Sequence, residues 1–250
     1  MIGKAEGIVL RATDYGESNK ILTVFTRNSG KVSMMARGAK KSKSRFTAVS
    51  QLFSHGYFLY HGGSGMVTLQ QGDLIRSFRG IREDLIKTAY AVYLVEFLDK
   101  MMSDEDISSY LFDTLLTALN WMDQDKDVEM VTRLFELKLL QIHGYRPRFE
   151  GCVHCGKNDP PFFMSIMEGG FVCQSCASYR QDSSFIAVGP GAVKILRLFQ
   201  EIHMNQVGNI QVKPETKEQL RKVMFSFIDE YTHVTLKSRR FLEQLDLLNG

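Results

Sequence analysis

The 250-residue sequence contains no long apolar run. No stretch approaches the roughly 18 to 20 consecutive apolar residues that a membrane-spanning helix requires. The N-terminal segment MIGKAEGIVLRATDYGE carries acidic residues where a secretory signal peptide would need an unbroken apolar segment. We therefore expect a cytoplasmic protein with no membrane partner.

The sequence also lacks the motifs of common catalytic sites. It has no Gly-rich phosphate loop followed by Lys and Ser or Thr, no GxSxG and no HExxH. HGGSGM, at 61–66, lies between two predicted strands and is typical of a hairpin. Cysteine is scarce, and all four cysteines lie within one short segment, so none is left over as a nucleophile. We expect no enzymatic activity.

The four cysteines form a pattern specific to metal binding. Cys152, Cys155, Cys173 and Cys176 give CxxC, seventeen residues, CxxC. Each CxxC can form a tight turn that directs two thiolates at one ion, and two such turns complete the tetrahedral set of a structural Zn²⁺. A full set of cysteines leaves no open position for a metal-bound water and makes His154 redundant as a ligand. The predicted cofactor is zinc, with a role in folding.

Other uses of four cysteines are less consistent with this spacing. Two disulfides are disfavoured in a reducing cytosol, and a thioredoxin-like redox pair needs one CxxC in a βαβ context. An iron–sulfur cluster, or a site that has lost its metal, stays open, although paired CxxC motifs at this separation are usual in zinc ribbons.

Acidic residues are scarce at the front of the chain. Residues 1–80 contain twelve Lys or Arg and four Asp or Glu, a balance of +8, whereas the other 170 residues contain 19 and 24, a balance of −5. The same region has five short runs rich in β-branched and aromatic residues, separated by turn sequences. Five strands with a long connection after the third predict an OB-fold barrel; an SH3-like barrel fits the spacing nearly as well.

The rest of the chain has the periodicity of helices. REDLIKTAYAVYLVEFLDKMM, DISSYLFDTLLTALNWM and DVEMVTRLFELKLLQIHG have apolar residues at three-and-four spacing, and three more helices are predicted after residue 185. We expect an α+β, multidomain chain: an OB-fold β-barrel over 1–80, then an all-α helical domain over 81–250. The four-cysteine zinc module, 150–180, interrupts the helical domain.

The densest positive charge lies in RGAKKSKSR, residues 37–45. Five cations and no acid are found there: Arg37, Lys40, Lys41, Lys43 and Arg45. Such a cluster on a basic barrel binds phosphates by releasing counterions, although a solvated turn is the alternative. Further cations nearby are Arg11, Lys20, Arg27, Lys31, Arg76 and Arg79. The candidate base-stacking residues are Phe46, Tyr57, Phe58 and Tyr60, which could equally be core residues.

DYGESNKILTVFTRNSGKVSMMARGAKKSKSR, the four-cysteine module and SRRFL near the C-terminus together resemble the bacterial RecO family of recombination mediators and DNA repair proteins. The resemblance implies an N-terminal OB-fold and a helical domain with a zinc-finger-like insertion. It also implies binding of single- and double-stranded DNA, annealing of complementary strands, and loading of RecA onto strands covered by single-stranded DNA-binding protein. The expected location is the cytoplasm, in association with the nucleoid.

The resemblance implies particular partners and site residues. The partners are RecR, the C-terminal tail of single-stranded DNA-binding protein and, as a further candidate, RecF. The five cations of RGAKKSKSR match the family's basic loop, and the four cysteines match its metal ligands. The tail's site is expected in a groove between helices of the helical domain, where Arg239 and Arg240 could flank it or simply be solvated. Two alternatives stay open: an RNA-binding or ribosome-associated OB and zinc protein, and an interaction scaffold that binds no DNA.

Overall fold

A computed structural model describes residues 2–63, 65–179, 184–206 and 211–249, with the side chains of 246–249 excepted. Contacts group the chain into two compact units, Met1–Asp125 with Leu236–Gly250, and Lys126–Thr235. These units are defined by contact, and the boundaries at residue 80 and at 150–180 stay predictions. Within the described part of the chain, each helix is too short or too polar to cross a membrane.

The first unit is built on a closed five-stranded barrel with strand order β1-β2-β3-β5-β4. The strands are β1 (Ile2–Tyr15), β2 (Asn19–Thr26), β3 (Gly30–Ala36), β4 (His55–His61) and β5 (Val67–Arg76). β1 pairs antiparallel with both β2 and β4, while β3 and β5 close the barrel by a short parallel pairing. The order and the long β3–β4 connection are those of an OB-fold, which confirms the predicted barrel.

The barrel core contains residues from outside the strands. Alternating strand positions such as Val9, Val24 and Phe58 point inward and are fully buried. Ala39 and Phe46, which lie in the basic sequence between β3 and β4, are buried in the same core at 4% exposure each. The basic segment is therefore packed onto the barrel and is part of its hydrophobic structure.

Helices complete the described part of the first unit. They are α1 (Arg79–Arg82), α2 (Leu85–Met101), α3 (Ser109–Asp123) and α8 (Lys237–Asn249). Asp84 caps α2 by accepting a hydrogen bond from the Lys87 N–H, and Ser108 caps α3. α8 packs against α2, and the Glu96 carboxylate accepts the N–H groups of Lys237 and Ser238 at 3.1 and 2.8 Å. A side chain of α2 thus satisfies the free donors at the start of α8.

The second unit combines helices with a small sheet. Its helices are α4 (Val128–Ile142), α5 (Gln174–Ser178), α6 (Pro190–Glu201) and α7 (Pro214–Thr232). Asp127 caps α4, and Pro190 and Pro214 occupy the first turns of α6 and α7. The sheet, absent from the sequence prediction, has the order β7-β6-β8, with β6 (Phe162–Ser165), β7 (Gly170–Cys173) and β8 (Ile186–Val188). It supports the cysteine segment.

Candidate nucleic-acid interface and metal centre

The basic connection, residues 37–54, is an ordered series of turns between β3 and β4. Gly38 has a φ of 69°, which turns the chain sharply at the end of β3. The Gly38 N–H donates to Asn19 Oδ1 at 2.8 Å, and the Lys40 N–H donates to the Ser18 carbonyl at 3.0 Å. Together with the burial of Ala39 and Phe46, these bonds fix the backbone that carries the cations.

All five predicted cations lie on this connection with exposed side chains: Arg37, Lys40, Lys41, Lys43 and Arg45. Lys40 Nζ lies 2.7 Å from Asp14 Oδ2, and this ion pair lowers the pKa of the Asp14 carboxyl. The Arg45 guanidinium lies 4.8 Å from the centre of the Phe46 ring. Among the described residues, Lys40 alone of the five forms an ion pair, so four cations are open to an anionic ligand.

Two cations of the barrel predicted to extend this surface have structural roles instead. Arg27 lies 2.8 Å from Glu6 and 2.7 Å from Asp113, which ties the barrel to α3. Lys31, whose side chain is only 9% exposed, lies 3.1 Å from Asp99 Oδ1 and donates to the Asp99 carbonyl near the end of α2. The expectation that these two side chains would be free to bind phosphate was wrong. The remaining candidates are partly or fully exposed: Arg11, Lys20, Arg76 and Arg79.

The candidate base-stacking residues divide into buried and exposed side chains. Phe46 and Phe58 are buried in the barrel core, so they present no ring face to a base. Tyr60 is partly buried and packs against that core. Tyr57 is 43% exposed, with Lys4 Nζ 5.3 Å from its ring centre. Tyr57 is therefore the best available stacking platform of the four.

Phe46 is predicted to hold the basic connection in its working conformation. The Phe46→Ala substitution removes a buried ring and should cost about 3 to 5 kcal/mol of unfolding free energy. Denaturant titration measures that loss. The exposed Arg45→Ala change next to it serves as the control, with an effect within about 0.5 kcal/mol. Equal stability of the Phe46→Ala variant and the parent would contradict the packing described here.

The four cysteines converge at one point in the second unit. Their sulfur atoms all lie within 4.8 Å of one another, with Cys155 Sγ and Cys173 Sγ 3.6 Å apart. Gly156, with a φ of 72°, forms the turn of the first CxxC, and its N–H donates to the Cys152 carbonyl at 2.9 Å. The second pair lies where β7 ends and α5 begins.

The donor chemistry of this cluster fits a divalent cation. Burial alone would raise the pKa of the Cys152 thiol, but backbone N–H groups, including that of Cys155, lower it to about 6. Hydrogen bonding to Cys155 and Cys173 raises the pKa of Cys176 to about 12. One thiolate therefore forms readily while the last thiol resists ionisation, and a cation's charge is needed to stabilise four thiolates together. His154 lies 2.8 Å from Glu168 and is no member of the cluster.

An apolar groove lies in the first unit, with a lining that the sequence prediction did not give. It has a volume of about 580 Å³ and lies between β1, α2 and the start of α8. Val92 and Phe241 provide apolar lining, while the charged lining comprises two cations, Arg11 and Lys237, and two acids, Glu96 and Asp99. Arg11 lies 3.6 Å from Asp99 Oδ2. Arg239 and Arg240 do not line it, and Arg239 pairs with Glu243 at 3.1 Å. No sequence pattern could have revealed the groove, because its walls come from distant parts of the chain.

The matches to known protein families and to individual proteins cover nearly the whole chain. The family model Recombination protein O N terminal matches residues 1–78, and Recombination protein O C terminal matches residues 82–240. DNA repair protein RecO from Bacillus pumilus (strain SAFR-032) is 45% identical over 98% of this chain and 95% of that protein. DNA repair protein RecO from Bacillus cereus (strain AH187) is 48% identical over 98% of each chain. The chain therefore belongs to the RecO family of DNA repair and recombination proteins.

Proposed function

We propose that this protein is a non-catalytic recombination mediator that binds single- and double-stranded DNA and anneals complementary single strands. It also assists the loading of RecA onto single strands covered by their binding protein. The observation that carries this proposal is the basic connection: five exposed cations on a fixed backbone at the end of an OB-fold barrel. Contacts to phosphate by such side chains give affinity with little dependence on sequence.

Annealing follows from charge neutralisation. Two complementary strands repel each other through their phosphates, and a cationic surface that binds both lowers the repulsion and raises their local concentration. The four cations without an ion pair among the described residues, Arg37, Lys41, Lys43 and Arg45, provide that charge. Base pairing then supplies the free energy of the product, so no covalent step is required.

The proposed cofactor is one structural Zn²⁺ held by Cys152, Cys155, Cys173 and Cys176. When bound, the ion would supply the charge that lets the four cysteines remain thiolates. An aromatic cluster adjoins the cysteines. The rings of Phe149 and Phe162 pack against Phe171 with centroids 5.0 and 5.2 Å apart, and Phe162 lies opposite Cys173 in the β6–β7 ladder.

The proposed protein partners are RecR, single-stranded DNA-binding protein and, as a further candidate, RecF. The binding protein's acidic, hydrophobic-ended tail is the partner whose chemistry fits the apolar groove. Val92 and Phe241 would contact its apolar side chains, and the exposed Lys237 would attract its carboxylates. Arg11 lies 3.6 Å from Asp99, so a tail carboxylate would have to share it with that acid. This location replaces Arg239 and Arg240 as the flanking residues, because neither lines the groove.

An annealing assay tests two of these proposals together, strand annealing and recognition of the tail. Complementary oligonucleotides are covered with single-stranded DNA-binding protein that has or lacks its tail, and duplex formation is followed by fluorescence. We expect this protein to accelerate annealing by at least about tenfold with the intact binding protein and much less with the truncated one. The Phe241→Ala variant should lose most of the difference. Tyr110→Ala, a change at a similarly exposed aromatic residue (43% against 44%), should retain it.

Three outcomes would argue against the proposal. Absence of acceleration by folded protein would contradict annealing, and equal rates with both forms of the binding protein would contradict tail recognition. Tighter binding to structured RNA than to single-stranded DNA would instead favour the RNA-binding alternative.

A further inference from the structure

Asp14 forms an ion pair with one cation of the basic connection, Lys40. Its carboxylate lies 2.7 Å from Lys40 Nζ, and the residue pairs with Lys20 across the β1–β2 ladder. Both side chains of the ion pair are partly exposed, with 32% of Lys40 and 60% of Asp14 accessible to solvent. A phosphate that approaches Lys40 from solvent therefore meets a carboxylate already in contact with it.

The backbone holds this pair together. The Lys40 N–H donates to the Ser18 carbonyl, and the Gly38 N–H donates to Asn19 Oδ1, so the connection is attached to the end of the same β1–β2 hairpin that carries Asp14. Ala39, between them, is buried in the barrel core. The Lys40 side chain can change its rotamer, while these bonds hold the Lys40 backbone at the β1–β2 hairpin.

The other cations of the connection differ in this respect. Among the described residues, Arg37, Lys41, Lys43 and Arg45 have no carboxylate within ion-pair distance, although all four lie within five residues of Lys40. Glu17 lies on the same hairpin turn as an exposed acid and forms no ion pair in the described part of the chain. The contact is therefore specific to Asp14 and Lys40.

We propose that the Asp14 carboxylate competes with DNA phosphate for the Lys40 ammonium group. This competition limits the affinity of the basic surface for DNA. The inference rests on the proposed DNA-binding function and adds a residue that regulates it. A DNA strand that binds Lys40 must displace the Asp14 carboxylate, which remains close by. The strand therefore also dissociates more readily. An annealing protein needs such exchange, because it must release its duplex product.

The test is a double-mutant cycle in single-stranded DNA binding, measured by fluorescence anisotropy at constant salt. Asp14→Asn should tighten binding about threefold, which is the scale of one exposed ion pair. In a Lys40→Ala background the same change should alter affinity by less than about 1.5-fold, because only screened repulsion by Asp14 remains. In the parent, Lys40→Ala should cost less affinity than Lys43→Ala.

Glu17→Gln is the matched control, since it removes the same charge from the same hairpin. An equal gain in Glu17→Gln would reduce the effect to net charge and overturn the inference. A loss of affinity in Asp14→Asn would do the same, because Asp14 would then position Lys40 for DNA. If the parent binds DNA and the Asp14→Asn variant binds it with the same affinity, this inference alone is overturned. A folded parent that binds no DNA overturns the proposed function along with it.

Discussion

Replacing Cys155 with serine is expected to remove stoichiometric zinc from the protein and to destabilise the second unit. Cys155 is the exposed member of the cluster, so the substitution loses little packing. Its sulfur is nonetheless one of four within 4.8 Å. Structural zinc contributes about 10 to 16 kcal/mol of apparent binding free energy in small zinc domains, and the loss of a thiolate ligand removes a large part of it.

Metal analysis and thermal unfolding measure this effect directly. The parent should contain one zinc per chain, and the Cys155→Ser variant far less, with a lower unfolding temperature. His154→Gln provides a control within the same CxxC turn, because His154 pairs with Glu168 and lies outside the cysteine cluster. A Cys155→Ser protein that retains one tightly bound zinc would contradict the assignment, as would loss of zinc in His154→Gln.

The variant in which all five cations of the basic connection are alanine should bind single-stranded DNA about a hundredfold more weakly, or worse, at moderate salt. The backbone position of these residues depends on Ala39 and Phe46, which the variant retains. The removed side chains are exposed, so the free energy of unfolding should change little. Affinity falls because a strand that contacts fewer cations releases fewer of its counterions on binding.

An equal change of net charge elsewhere provides the control for that variant. Five exposed cations outside the connection suit this purpose: Lys100, Arg146, Lys194, Lys213 and Lys222. Their replacement with alanine should leave most of the affinity. Similar losses in the two variants would mean that the protein binds DNA through its overall charge, and the connection would then have no special role.

The parts of the fold that sequence could predict depend on local pattern. The β-branched and apolar composition of β1, the helical periodicity of α2 and the Asp127 cap of α4 involve residues close together in the chain, so each is visible in a short window. The cysteine cluster was predictable for a similar reason, because the CxxC spacing fixes two ligands at a time. The convergence of the two pairs confirms that prediction.

The parts that sequence could not predict depend on distant partners. Arg27 and Asp113 are 86 positions apart, and Lys31 and Asp99 are 68 apart, so nothing local distinguished these cations from the free ones. The burial of Ala39 and Phe46 was hidden by the charged residues around them. The small sheet was missed because β6, β7 and β8 have only four, four and three residues. Strands that short carry almost no periodicity.

The salt dependence of single-stranded DNA binding tests the central claim most directly. The logarithm of the binding constant is measured against the logarithm of salt concentration for the parent and for the variant lacking the five cations. Each lost phosphate contact should lower the steepness by about 0.7, so the variant should be shallower by up to about 3.5. Equal slopes and equal affinities would contradict the claim that the basic connection holds the DNA.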